Sequence, residues 1–304
     1  MKSNHLILTA KNQRNEKGLW SLIDIFLLTP AVYIVFSSLL FIALDPISAT
    51  VPSTYFMEVL KFSSIHLGIS FMVMVLSIWF VVKTMEHRGL KTLGFQAKKP
   101  LVKYGFGFLI GFIMISLTTL LILLSKSGQL NADHIQVSGY SALPTVLIML
   151  VGWLIQGGAE EVLTRGFILP KLTYRYNLFF GVFISSCLFS LLHLGNPGMG
   201  WIPIMNLSLF GLFAALYSLY EESILGICGL HSAWNFFQGN VYGFLVSGTS
   251  AKGGSLMGIA PNEKTLLNGG DFGPEGGFIV SFVLVVGIII CIFYLIKKEK
   301  QGVA

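Results

Sequence analysis

The chain has 304 residues, of which 54% are hydrophobic and 11% charged, with a mean hydropathy of +0.76. Soluble domains carry roughly 25% charged residues, so this composition excludes a water-soluble globular protein and describes a polytopic membrane chain. The net charge of +6 does not point to nucleic acid, because the lysines and arginines lie at the ends of apolar runs, where topology and anionic headgroups account for them.

Taking about 20 mostly apolar residues per crossing predicts eight spans, at 20–44, 59–83, 104–124, 143–170, 178–194, 202–220, 223–247 and 277–296. The expected fold is therefore an all-α polytopic membrane helix bundle. A single transmembrane domain, 20–296, is flanked by cytoplasmic tails at 1–19 and 297–304. The first run follows Lys11, Arg14 and Lys17, but it exceeds the ~7–15 apolar residues of a signal peptide and lacks a small-residue cleavage site, so it is read as retained. Fifteen of the 20 basic residues fall on one side if the N-terminus is inside, which places both termini in the cytoplasm.

The basic loop 83–103 reads as a topology anchor. The glycine-rich stretch 247–277 reads as an irregular, mobile outer segment rather than a domain. Cys187, Cys228 and Cys291 sit in apolar runs without metal-type spacing and read as small buried hydrophobes. Asp24 and His66 fall near span ends, Glu221 and Glu222 in a short inner turn expected to be solvated, and Asn206 reads as a helix-packing amide.

Few ionisable groups remain inside the spans: Glu160, Glu161 and Arg165 in the fourth, His193 late in the fifth, and His231, followed one turn on by Asn235, in the seventh. Groups of this kind normally face a bundle interior and mark a function or a mutual pairing. The midpoint of 160 and 193 falls in the Tyr174–Asn177 turn, so Glu160 and His193 are expected at matching depths. His231 and Asn235 lie about 12 and 18 Å above the inner side, in the same slab. Residues four apart share a helix face, so Arg165 is expected to neutralise Glu161. Glu160, turned by ~100°, is left to work with His193, and the "GNPG" after His193 ends the helix beside a wet pocket.

A carboxylate and an imidazole at one depth suit general-base activation of water. A second histidine with an amide suits an oxyanion hole, and together these groups would hydrolyse an amide. A Glu–Arg pair alone could lock helices and a lone histidine could be an interhelical hydrogen-bonding group; coincidence of depth across the whole set favours a site.

Three motifs, "EEVLTR" (Glu160, Glu161, Arg165), "FSLLH" (Phe189, His193) and "HSAWN" (His231, Asn235), occur in that order, each in its own apolar span. Over about residues 140–245 the chain resembles the intramembrane proteases that include the CAAX prenyl endopeptidases and the bacteriocin-processing or self-immunity proteins. The resemblance implies cleavage of a peptide bond in a membrane-associated peptide or protein, with Glu160 and His193 activating water and His231 with Asn235 as the oxyanion hole. Glu161, Arg165 and Phe189 take supporting roles. No cofactor is favoured; zinc or another divalent ion, if held, would use Glu160, His193 and His231, although the HExxH pattern is absent. The competing readings are a non-catalytic self-immunity or regulatory protein on the same scaffold and a proton-coupled transporter. The short basic tails are bacterial in style, so the expected location is a bacterial cell membrane.

Overall fold

The computed structural model describes residues 4–8, 20–49, 54–250 and 252–301; most of the expected tail 1–19 lies outside them. A short helix α1, His5–Leu8, precedes α2 (20–49), α3 (Tyr55–Thr84), α4 (Pro100–Leu124), α5 (Gly139–Arg175), α6 (Leu178–Leu191), α7 (Trp201–Glu221), α8 (225–241) and α9 (Phe278–Lys300). Among the described residues these are eight helices from α2 onward, and the chain is an all-α helical membrane bundle. Six of them are long and apolar enough to cross a bilayer, whereas α6 and α8 are shorter. The tail expected from residue 297 instead begins as helix, since α9 runs on to Lys300.

The local sequence explains where the helices start and stop. Pro100 lies in the first turn of α4, and Pro144 in the first turn of the α-helical part of α5, which begins at Leu143 after a 3-10 turn; there the missing N–H costs nothing. Asn177 caps α6 by accepting a hydrogen bond from the Phe180 N–H at 2.8 Å. Helix α6 ends at Leu191, short of the expected 194, because Gly195 and Pro197 follow and cannot continue it.

Helix α8 is the centre of the bundle: every residue from Gly226 to Phe236 is buried. It lies against α4 at backbone contact distance, which glycines permit. A Cβ placed on Gly107 would sit 1.8 Å from the Gly226 carbonyl oxygen, one on Gly111 2.2 Å from that of Leu230, and one on Gly229 2.1 Å from that of Tyr104. In lipid, where apolar burial no longer drives helices together, this small-residue seam supplies the packing.

Both ends of the chain meet one face. Asn4 Nδ2 donates to the Leu219 carbonyl, the His5 N–H to Glu222, and Lys298 pairs with Glu222 at 2.6 Å. Glu221 accepts from the Gly226 N–H and Tyr217 hydroxyl. These two glutamates are thus half-buried and partnered rather than solvated, because the terminal helices pack over their turn. On the same side Lys171 is buried between Asp24 (2.8 Å) and Glu86 (2.5 Å), and Glu86 also holds Arg88. Four residues expected at loops or span ends therefore form a buried charge clamp at the foot of α5.

The opposite face carries the loops. Strand β1 (Gly128–Leu130) pairs with β4 (Ile259–Pro261), and β2 (Leu245–Val246) with β3 (Thr249–Ser250). The stretch 247–277, expected to be mobile, is hydrogen-bonded to the bundle. Asn240 donates to the carbonyls of Lys252 and Gly254, Thr145 to that of Gly253, and Asn206 to those of Glu275 and Gly277. Buried side-chain amides, invisible as a pattern in sequence, make it an ordered cap. Asn206 thereby ties the cap to α7, and the three cysteines are free thiols, two of them buried.

Candidate active site

Beneath the cap lies a cavity of about 300 Å³, with Gln156, Glu160, Phe189, His193, His231 and Asn235 in its walls. Three helices deliver this set: α5 the glutamates, α8 the second histidine and asparagine, and the end of α6 the first histidine. Immediately after Glu161 the α5 helix loosens into a π turn, Val162–Ile168, a feature concentrated at functional sites.

Glu161 and Arg165 are both fully buried and pair at 3.1 Å, as their spacing predicts. The guanidinium also donates to Thr164 Oγ1 (2.6 Å) and to the Gly211 carbonyl (3.0 Å) and lies 4.8 Å over the Phe189 ring. Phe189 is thus the plate on which the cation rests, and its ring centroid lies 5.0 Å from that of His193 and 5.8 Å from that of His231.

Glu160 lines the cavity whereas Glu161 lies behind it, paired with Arg165, yet the same imidazole reaches both. His231 stands between them, with Nδ1 2.9 Å from Glu161 Oε1 and Nε2 3.7 Å from Glu160 Oε2. The loosened turn and the close approach of α8 let one imidazole reach both carboxylates despite their different helical phase. A carboxylate only accepts, so Nδ1 of His231 carries the proton and Nε2 faces Glu160.

His193 is not inside a helix. It occupies the turn after α6, half-buried, with its N–H bonded to the Ser190 carbonyl and its Nδ1 to the Phe189 carbonyl at 2.8 Å. A carbonyl likewise only accepts, so Nδ1 is the protonated nitrogen and, in the neutral ring, Nε2 keeps its lone pair. Among the described residues no three His, Cys, Asp or Glu side chains are arranged to hold a metal ion. Glu160, His193 and His231 share the cavity without closing into a ligand set.

Two cavity residues escape the sequence reading. Gln156 joins the set together: its Nε2 donates to Glu160 Oε1 at 2.7 Å, and its Oε1 accepts from Asn235 Nδ2 at 2.9 Å. It lies one turn before Glu160, a spacing that could have flagged it. The other is Glu275, in the cap, for which the sequence offers no signal.

The comparisons bear on this same region. Residues 142–237, about a third of the chain, match the family model described as type II CAAX prenyl endopeptidase Rce1-like. This segment is similar to the Rce1-like family. No curated protein and no solved structure matches the chain. The matched segment spans α5 to most of α8 and contains all three motifs, while the cap and α9 lie beyond it. The match likens this segment to a protease family, and with six membrane-length helices among the described residues the protein is an integral, multi-pass membrane protein.

Proposed function

We propose that this protein is an intramembrane endopeptidase that hydrolyses a peptide bond of a membrane-associated peptide or protein. The observation that carries the reading is the convergence of Glu160, His193, His231 and Asn235 on one cavity within an apolar bundle, inside the Rce1-like segment.

In the proposed reaction a water lies between the Glu160 carboxylate and the lone pair on His193 Nε2. Glu160 takes a proton from it as its oxygen bonds to the substrate carbonyl carbon. The oxyanion so formed is met by the Nε2 proton of charged His231 and by the second N–H of Asn235, whose first is spent on Gln156. Collapse of the adduct breaks the C–N bond, and Glu160 returns its proton to the leaving amine. Two carboxylates against the single guanidinium of Arg165 leave one negative charge, which a proton on His231 cancels. Glu161 and Arg165 hold that histidine and do not touch substrate.

The metal-free mechanism needs no further ligand, and a CAAX tail, which the family description names, is one substrate among membrane-associated peptides. With Asn4, His5 and Lys298 on one face, the distribution of basic residues supports cytoplasmic termini; the membrane proposed is that of a bacterial cell.

The test uses purified full-length protein in nanodiscs and a membrane-tethered reporter peptide. Glu160→Gln is expected to abolish cleavage, His193→Ala to slow it about 10²–10⁴-fold, and chelators to leave the rate unchanged. Cleavage by Glu160→Gln at the wild-type rate would refute the assignment and favour a binding protein. Loss of activity on chelation, restored by zinc, would refute only the metal-free form.

A further inference from the structure

Glu275 lies outside the Rce1-like segment, on the cap just before α9, yet it lines the same cavity as Glu160. It is buried, with 9% of its surface exposed. All of its side-chain hydrogen bonds fall on one oxygen: Oε2 accepts from the Ser247 N–H (2.5 Å), the Ser247 hydroxyl (3.0 Å) and Gln238 Nε2 (3.2 Å). Among the described residues no lysine, arginine or histidine lies within ion-pairing distance of it.

A buried carboxylate with three donors on one oxygen, none on the other and no counter-ion is poorly compensated on its own. Its other oxygen accepts no hydrogen bond, and the residue lines the cavity. Arg165 is taken up by Glu161 and the Gly211 carbonyl, and a charged His231 by Glu161 and Glu160, so neither offsets Glu275. The cavity wall therefore presents negative charge that a cationic guest would balance, in a low-dielectric setting where such attraction is strong. At its wall Trp234 has an unpartnered indole N–H and Asn235 an unpartnered carbonyl oxygen, both buried, so polar groups there await an occupant.

Resting on the endopeptidase reading above, we propose that Glu275 forms a cation-recognising subsite, selecting peptides with a lysine or arginine close to the bond that is cut. A compact cavity of this volume is roughly 8 Å across and extended chain advances ~3.3–3.6 Å per residue. The basic residue thus lies within about two or three positions of the scissile bond. A free α-amino group offers the same ammonium chemistry, and acetylated peptides separate the two sources.

The experiment compares paired N-acetylated reporter peptides that differ only in lysine against norleucine, or arginine against citrulline, on the full-length protein in nanodiscs. The wild type is expected to favour the basic member about tenfold or more in kcat/KM. Glu275→Gln keeps the shape and the acceptor for Ser247 while removing the charge, and should bring that ratio near one. Glu275→Lys should reverse it toward a glutamate-containing peptide, a gain that misfolding cannot produce. A preference confined to unacetylated peptides, no preference in the wild type, or an unchanged preference in Glu275→Gln would overturn the proposal. Binding of the same pairs to the Glu160→Gln protein is measured in parallel by fluorescence anisotropy. Charge-dependent binding that Glu275→Gln removes, with no cleavage by the wild type, would uphold the subsite and sink the protease assignment alone.

Discussion

Gln156 links the proposed base to the proposed oxyanion amide, through a part-buried hydrogen bond to Glu160 and a buried one from Asn235. Replacing it with leucine leaves Glu160 Oε1 and Asn235 Nδ2 without partners; each unmet buried group costs about 1–3 kcal/mol. The expected outcome is a kcat reduced about 10–100-fold with KM little changed, together with a lower melting temperature in detergent. Gln156→Glu, which keeps one acceptor for Asn235 but sets a carboxyl against Glu160, should shift the pH profile of kcat, a response that mere loosening of the helix would not give. The ionisable members of the site other than Glu275 are legible in the sequence because carboxylates and imidazoles in hydrocarbon are rare and depth can be counted from a turn. Gln156 is not, since a glutamine in a membrane helix reads as one packing amide among many. Nor is the placement of His231 between Glu160 and Glu161, which depends on how closely α8 approaches α5.

That approach is set at the level of helices. Because Gly107, Gly111 and Gly229 hold α4 and α8 in backbone contact, a methyl at Gly107 meets a carbonyl that cannot turn aside. Gly107→Ala should therefore lower stability by about 1–3 kcal/mol or more, read as a fall in detergent melting temperature and in folded yield. Gly105→Ala, on the same helix with open space around it, should be neutral or slightly stabilising. Hydropathy located the helices well but overran two of them. Helix α6 stops early at a Gly-Pro signal that sequence contains, whereas α8 counts as central only once its neighbours are known. The cap was read as mobile because its glycines are visible and the amides of Asn206 and Asn240 that fasten it look like ordinary polar residues.

Across the whole molecule the N-terminal helix, the α7–α8 turn and the end of α9 are joined through Glu222. Partial burial, the largest single influence on this carboxyl, pushes its pKa up. The Lys298 hydrogen bond, the His5 N–H and the charges of both residues outweigh it and hold the group below its ordinary 4.5. A depressed folded value means that the stabilisation is fully present above the unfolded value and is lost as pH falls through the folded one. For a pair about a quarter exposed this contribution is about 1 kcal/mol or less. The wild-type melting temperature should thus drop on acidification below about 4.5 more than that of Glu222→Gln, as measured by a pH series of thermal melts.

The brevity of α6 bears on the lipid itself. Fourteen residues cover about 21 Å, against roughly 30 Å of acyl-chain thickness, and the turn beyond them carries His193 between the exposed side chains of Leu192 and Leu194. Lipids bordering this helix must shorten or tilt to follow it, drawing the aqueous boundary down toward the imidazole. Such a dimple in the bilayer would hydrate the proposed reacting centre from the side, with no dedicated pore through the protein.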